Sequence, residues 1–253
     1  MQRIIFVPII SGGDLVPGNI RSRVLWFWKK KMYNQVMVSY PYISKVCPNP
    51  EDVREKLELP RDLVLWMDSG GYQILTRKLN EKEISLEKVL RYQELSKCNV
   101  AFTLDDPNDL KRTYQNAIKA LELKKREDML LYATIQHVFS YSSAALMTRK
   151  LDKYPFDGIA IGKLAPKKYD LIKRAEIILG VVRNTKKPIH CLGFSGVEAP
   201  YLAALFGVSS FDSMTFLHAA INRQYILPFF SGQLFNVGKI DLKKAWKRYI
   251  LKE

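Results

Sequence analysis

Short apolar runs alternate with amphipathic segments along the chain, and this alternation predicts the secondary structure. The run at residues 63–67 contains no polar residue, which is typical of a strand buried on both faces. It stops abruptly at an acid, Asp68, followed by Ser69 and two glycines. Seven further runs predict strands over 3–9, 35–39, 99–104, 129–135, 158–161, 188–192 and 208–212.

Helical periodicity occupies most of the intervals between these strands. Helices are predicted over 51–57, 85–97, 109–124, 141–151, 167–184 and 198–206, with further helices to about residue 223 and from Asp241. Pro107 cannot continue the strand before it, and Asn108 is expected to cap the helix that follows. Residues 40–50, which contain three prolines, are predicted as a loop.

Eight strands joined in one direction by helical or loop segments predict an α/β fold, a closed (β/α)8 TIM barrel. The length of 253 residues fits the ~250 that such a barrel typically needs. The alternative, a doubly wound open sheet, is usually shorter and does not return its last strand beside its first. We expect one barrel domain over residues 1–224, and a basic extension packed on it over 225–253.

Charge is the most informative global property. Forty Lys and Arg against 25 Asp and Glu give a formal net charge of +15, and a hydrophobic content of 47% supports a full core. This excess favours a polyanionic partner such as nucleic acid over a merely lysine-rich surface. Residues 21–33 alternate bases with aromatics, which fits either a helix with buried tryptophans or a surface that stacks on bases.

Cysteine usage and the amino terminus exclude other classes. Cys47, Cys98 and Cys191 are scattered, which predicts reduced thiols rather than a disulfide framework. No Cys-x-x-Cys or His-Glu-x-x-His spacing occurs, so no metal site and no cofactor are predicted. The first ten residues have neither a cleavage pattern nor the length of a membrane span, so we expect a cytoplasmic protein without a membrane partner.

The polar residues that close the strands carry the candidate chemistry. In a barrel, Asp68, Asp105, Gln136, Gly162 and Asp212 would meet at the carboxyl-terminal rim. One carboxylate can attack a sugar carbon, a second can move the proton of a leaving or arriving base, and a third can accept hydrogen bonds from that base. The simpler alternatives are an ordinary turn after Asp68 and a helix cap at Asp212.

The segment Asp-Ser-Gly-Gly-Tyr-Gln at 68–73 resembles the Asp-Ser-Gly-Gly-aromatic-Gln motif of tRNA-guanine transglycosylases. The likeness continues in the family's order through 104–107, 135–136, 156–162 and 207–212. The resemblance implies a pentosyltransferase in which Asp212 is the nucleophile, forming a covalent sugar–enzyme intermediate. It implies that Asp68 is the general acid/base.

The resemblance also implies a pocket for a guanine-like base. Its expected members are Ser69, Gly71, Tyr72, Asp105, Gln136, Gly162, Lys163 and Leu192. Asp105, Gln136 and the backbone near Gly162 would recognise the base edge, and Tyr72 and Leu192 would sandwich the ring. Asp105 and Asp106 could exchange roles, and Lys163 suits either a phosphate contact or a solvated surface. The histidines at 137, 190 and 218 are expected to be structural.

Two departures from the family pattern bear on the polymer substrate. No cysteine follows Cys191, so the zinc-binding cysteine cluster of the family is missing, and Lys163 replaces a second glycine. The stretch 211–228 instead resembles the DpdA-type branch, which inserts 7-deazaguanine bases into DNA. We therefore expect exchange of guanine in DNA for a free 7-deazaguanine base such as the 7-cyano form. The same exchange on tRNA and a non-catalytic nucleic-acid-binding barrel are the alternatives.

Overall fold

One parallel sheet of eight strands organises the computed structural model, which describes residues 4–10, 33–71, 84–136, 138–162, 164, 171–196, 198–213, 224–226 and 234–236. The strands of this sheet are β1 (Ile5–Pro8), β2 (Gln35–Ser39), β3 (Val64–Asp68), β4 (Val100–Phe102), β5 (Leu130–Ile135), β6 (Gly158–Ile161), β7 (Ile189–Cys191) and β8 (Ser210–Ser213). Their order is β1-β8-β7-β6-β5-β4-β3-β2, so the last strand of the sheet pairs with the first.

The sheet closes on itself between β1 and β2. A parallel bridge joins Ile9 to Met37, and the backbone N–H of Ile10 donates to the carbonyl of Met37 at 3.0 Å. Both edges of the sheet are thereby joined, which is the geometry of a barrel and not of an open sheet. The predicted (β/α)8 TIM barrel is confirmed.

Helices connect consecutive strands on the outside of the barrel. In the described part of the chain they are α1 (Tyr40–Val46), a 3-10 helix (Pro50–Asp52), α2 (Val53–Lys56), α3 (Leu86–Leu95), α4 (Leu110–Leu123), α5 (Tyr141–Asp152), α6 (Leu171–Val182) and α7 (Ala199–Phe206). The predicted loop at 40–50 is wrong over α1, because Pro41 lies in the first turn of that helix, where a missing N–H is no cost. The carboxylate of Asp109, not Asn108, caps α4.

Side chains of each strand point alternately into the barrel and towards the helices, as the two-residue period of a strand requires. The outward positions, such as Leu65, Met67 and Ile159, join the large core between sheet and helices. The inward positions form a second, smaller cluster of Val7, Met37, Trp66, Val100, Phe102, Tyr132 and Ala160. The barrel interior is therefore filled by apolar and aromatic side chains below its carboxyl-terminal rim.

Two predicted features fall largely outside the described residues. These are the basic and aromatic segment at 21–33 and the helix from Asp241. Within 225–253 the structure describes β10 (Leu234–Asn236), which pairs antiparallel with β9 (Gln224–Ile226), a hairpin that the sequence pattern did not predict. No helix among the described residues is long and apolar enough to cross a membrane.

Asn99 ties β3 to β4 at the amino-terminal end of the barrel. Its side-chain Oδ1 accepts from the Leu65 backbone N–H at 2.8 Å and from Nη2 of Arg54 at 2.7 Å. We expect Asn99→Ala to lower the free energy of unfolding by about 1–3 kcal/mol, because the Leu65 N–H loses its acceptor and the Arg54 guanidinium loses the shortest of its hydrogen bonds.

Urea unfolding measures this effect, and Asn99→Asp, which keeps an acceptor oxygen facing Arg54, is the matched control. The control should stay closer to wild type than the alanine variant. Equal losses in the two variants would mean that the acceptor at this position does not hold the strands together.

Candidate functional site

Polar side chains replace the apolar filling at the carboxyl-terminal rim of the barrel. Asp68 lies two positions beyond the inward-facing Trp66, and Gln136 lies four positions beyond the inward-facing Tyr132. Asp212 on β8 is paired in register with the inward-facing Val7 of β1. The strand period therefore directs these side chains into one mouth of the barrel.

Asp105 is the centre of the first cluster, formed by the ends of β3, β4 and β5. The residue is 4% exposed; Oδ1 of its carboxylate accepts from the Ser69 hydroxyl at 3.1 Å, and Oδ2 accepts from Gln136 Nε2 at 2.9 Å. Burial raises the pKa of Asp105, while the hydrogen bonds from Gln136 and Ser69 oppose that shift. These donors hold the carboxylate in one orientation.

Two predicted glycines leave room around this cluster. A Cβ on Gly71 would lie 2.2 Å from Oδ1 of Asp105, and a Cβ on Gly162 would lie 2.9 Å from the amide group of Gln136. Neither position can carry a side chain without displacing its neighbour. Ser69, Gly71, Asp105, Gln136 and Gly162 thus lie close together.

Asp106, the alternative to Asp105, has a different place. Its Oδ1 accepts from the backbone N–H groups of Asn108 and Asp109, and its Oδ2 pairs with Arg112 at 3.1 Å. These contacts order the turn that leads into α4. Of the two acids, only Asp105 contacts Ser69 and Gln136.

Asp212 is the centre of a second cluster, formed by β7 and β8, and it is 1% exposed. Its Oδ1 lies 3.0 Å from Nε2 of His190 and accepts from the backbone N–H of Gly193 at 2.9 Å. Nδ1 of His190 in turn lies 2.8 Å from the hydroxyl of Ser210. Leu192, also a predicted site residue, is partly buried against the apolar filling of the barrel beside this cluster.

Asp68, at the end of β3, is influenced by the charges of both clusters. It is partly exposed, and its Oδ2 accepts from the Ser39 hydroxyl at 2.9 Å. Withdrawal from water, together with the charges of Asp105 and Asp212, raises the pKa of Asp68 to about 7. Hydrogen bonds from Ser39 and the Gly70 backbone oppose the rise. The charges of Asp105 and Asp212 therefore both disfavour ionisation of the Asp68 carboxyl group.

Two residues that contact the acids of this site were not predicted from the sequence, and two predicted members are not among the described residues. Tyr72 and Lys163 lie outside the described residues. His190, expected to be structural, contacts Asp212 directly, and Ser39 contacts Asp68. The available signal was the strand period, since His190 precedes Leu192 by two positions and Ser39 lies four beyond Gln35 on β2. No group of three metal-ligating side chains converges in the described part of the chain.

Comparison with known proteins gives one consistent result. No family model matches the chain. It is 24% identical over 221 residues to the tRNA-guanine(15) transglycosylase of Methanosphaera stadtmanae, a match that covers 79% of this chain and 32% of the relative. The tRNA-guanine(15) transglycosylase of Methanocaldococcus jannaschii is 24% identical over 212 residues, covering 76% and 32%.

The chain therefore spans about a third of the length of these curated relatives, at 32% of each. The matches confirm the resemblance to the tRNA-guanine transglycosylase superfamily that the motifs indicated. The DpdA-type assignment within that superfamily stays a prediction.

The raised pKa of Asp68 makes stability depend on pH. Between the ordinary aspartate value of 3.8 and about 7, the folded protein keeps a proton that the unfolded chain releases. Stability from this group is therefore complete below pH 3.8 and is lost as the pH rises through about 7. We expect Asp68→Asn, which has no such proton to lose, to be more stabilising relative to wild type at pH 8 than at pH 4.

Denaturant unfolding of both proteins across this pH range tests the expectation. Ser39→Ala serves as a second variant, because it removes a hydroxyl that lowers the pKa of Asp68. In this variant the stability that Asp68 contributes should be lost at a higher pH than in wild type. Parallel stability profiles for wild type and Asp68→Asn would contradict the raised pKa.

Proposed function

We propose that this barrel, similar in sequence to tRNA-guanine transglycosylases, exchanges guanine in a nucleic acid for a free 7-deazaguanine base. The observation that carries the proposal is the position of Asp68 at the carboxyl end of β3 and of Asp212 near the carboxyl end of β8, at the same mouth of the barrel. A buried carboxylate beside a carboxyl group with a pKa near 7 is the pair that nucleophilic attack and proton transfer at a sugar carbon need.

In the first step, a carboxylate oxygen of Asp212 attacks C1′ of the guanosine residue. The C1′–N9 bond breaks, and its electron pair leaves with the guanine. The leaving base takes the proton of Asp68, which is partly protonated near neutral pH because its pKa is about 7. The product is an Asp212–sugar ester and a free guanine, with no change in oxidation state.

In the second step the incoming base reverses these events. It gives its N9 proton to the Asp68 carboxylate, and its nitrogen attacks C1′. The bond between Asp212 and C1′ breaks, and the carboxylate of Asp212 is restored. Because one carboxyl group both delivers and accepts the proton, a pKa near neutrality serves both directions.

The Asp105 cluster is the proposed base pocket. Guanine and 7-deazaguanines both present an N–H and an amino group on one edge, and a carboxylate is an acceptor for both. Ser69 and Gln136 hold the carboxylate of Asp105 in place, and Gly71 keeps the space beside it open. Tyr72, Leu192 and Lys163 remain predicted contributors to the pocket.

The polymer substrate has two candidates. The resemblance of 211–228 to the DpdA-type branch favours DNA, while the names of the relatives, all tRNA-guanine(15) transglycosylases, favour tRNA. The net charge of +15 supports a nucleic-acid partner and does not separate the two, since both backbones carry the same phosphates.

Incubation with labelled guanine and either DNA or tRNA distinguishes the candidates. Label that enters DNA alone supports the DNA proposal, and label that enters tRNA alone replaces it with the tRNA one. Incorporation into neither polymer, with or without a 7-deazaguanine competitor, would favour the non-catalytic barrel. Mass spectrometry of nucleosides from host DNA and tRNA, with and without the protein, then identifies the inserted base.

Asp212→Asn tests the covalent step. We expect the variant to form no trapped protein–nucleic acid adduct and to lose base exchange by about 10³-fold or more, because an amide is a poor nucleophile. Binding of the nucleic acid should be retained, since the phosphate contacts are untouched. Denaturing gel electrophoresis of the trapped complex measures the adduct.

Asp106→Asn is the matched control, because Asp106 is a second acid at this end of the barrel but orders the turn before α4. This control should form the adduct at the wild-type level. An undiminished adduct in Asp212→Asn would show that Asp212 is not the nucleophile. Loss of the adduct in Asp106→Asn would show that the covalent step also depends on Asp106, which contradicts the assignment of the acids made above.

A further inference from the structure

We infer that His190 is a positioning residue that selects which oxygen of Asp212 attacks the sugar. The inference rests on the proposed function, in which Asp212 is the nucleophile. His190 would donate its Nε2–H to Oδ1 of Asp212 and so leave Oδ2 as the oxygen presented to C1′. Sequence reasoning gave His190 no such role.

The hydrogen bonds of Asp212 are unequal between its two oxygens. Oδ1 receives both contacts that the structure describes, one from Nε2 of His190 at 3.0 Å and one from the Gly193 backbone N–H at 2.9 Å. Among the described residues no donor lies at Oδ2. An oxygen with two hydrogen bonds is a weaker nucleophile than one with none, so the arrangement favours attack by Oδ2.

Ser210 decides which nitrogen of His190 carries the proton. Its hydroxyl lies 2.8 Å from Nδ1, and the two residues are paired in register between β7 and β8. A hydroxyl can donate to Nδ1, whereas a carboxylate can only accept from Nε2. The arrangement that satisfies all the groups therefore has the Ser210 hydroxyl donating to Nδ1 and Nε2–H donating to Asp212.

The imidazole ring is held so that it cannot turn away from Asp212. It is fully buried in the barrel, and its ring centre lies 5.1 Å from that of Trp66 and 5.0 Å from that of Phe102. These two aromatic rings come from β3 and β4, whereas His190 comes from β7. The aromatic filling of the barrel therefore fixes the ring plane, and the ring fixes the carboxylate.

A buried histidine can also serve stability alone, and the two roles predict different results. A structural role changes folding and leaves the turnover of the folded enzyme intact. A positioning role lowers turnover while binding is retained, because the base contacts Asp105 and its neighbours and the polymer contacts the basic surface. Small misplacement of a nucleophile can reduce rate by about 10²-fold.

Three variants separate these roles by base-exchange kinetics on folded protein. His190→Phe keeps the ring and removes the donor; we expect kcat to fall about 10²-fold with the KM for guanine unchanged. His190→Gln keeps an N–H donor at similar reach and should recover at least about tenfold of that loss. Phe102→Leu loosens the packing that holds the imidazole but leaves its N–H donor in place, so its kcat should fall by less than that of His190→Phe.

A measurement independent of catalysis tests the contact itself. The chain has three histidines, so 15N spectra of labelled protein are simple, and the His190→Phe spectrum identifies the His190 signals by their absence. We expect Nε2 to carry the proton and Nδ1 to be unprotonated. Ser210→Ala, a smaller change, should weaken this preference and lower kcat by less than His190→Phe.

The outcomes are separable from those of the proposed function. A kcat for His190→Phe within threefold of wild type, a glutamine variant no better than the phenylalanine one, or a proton on Nδ1 would each overturn the inference. If wild type exchanges no base on any polymer, the proposed function fails, and the 15N spectra still decide whether His190 donates to Asp212.

Discussion

Three carboxylates share one mouth of the barrel, and their mutual repulsion is the constraint on which the site depends. Asp105 and Asp212 are buried and Asp68 is partly buried, and like charges repel strongly where water is excluded. The protein compensates each acid differently. Asp105 has two side-chain donors, Asp212 has an imidazole and a backbone N–H, and Asp68 takes up a proton, so its pKa rises to about 7.

These different ways of compensating each carboxyl group explain how one small site can hold residues with different chemistry. The two acids with strong donors keep fixed orientations, which suits recognition and attack. The third acid, with one hydroxyl and a backbone N–H, is the one whose protonation can change near neutral pH. The similarity to tRNA-guanine transglycosylases and this electrostatic arrangement support the same proposal independently.

The apolar filling of the barrel is part of the site as well as of the core. Trp66 and Phe102 lie on inward-facing positions of neighbouring strands, and their rings pack against the imidazole that contacts Asp212. Tight packing of this kind transmits position from one strand to another. Stability of the barrel interior and geometry at its mouth therefore depend on the same side chains.

The amino-acid sequence by itself determined the eight strands, the barrel and the acids at the strand ends. These are local properties: a run of apolar residues, its abrupt polar end, and a glycine pair beside Asp68 are visible within a few positions of each other. Local signals failed where a proline fits the start of a helix, as in α1, and where two neighbouring residues can both cap a helix, as at Asn108 and Asp109.

Only the tertiary structure decided which side chains meet. Asp105 and Asp106 are adjacent in the chain, yet one contacts Gln136 and the other Arg112. His190 contacts Asp212, 22 residues away, because β7 and β8 pair in a register that sets His190 opposite Ser210. Such contacts depend on strand register and barrel closure. These arise from packing of the whole chain and cannot be predicted from any short stretch of sequence.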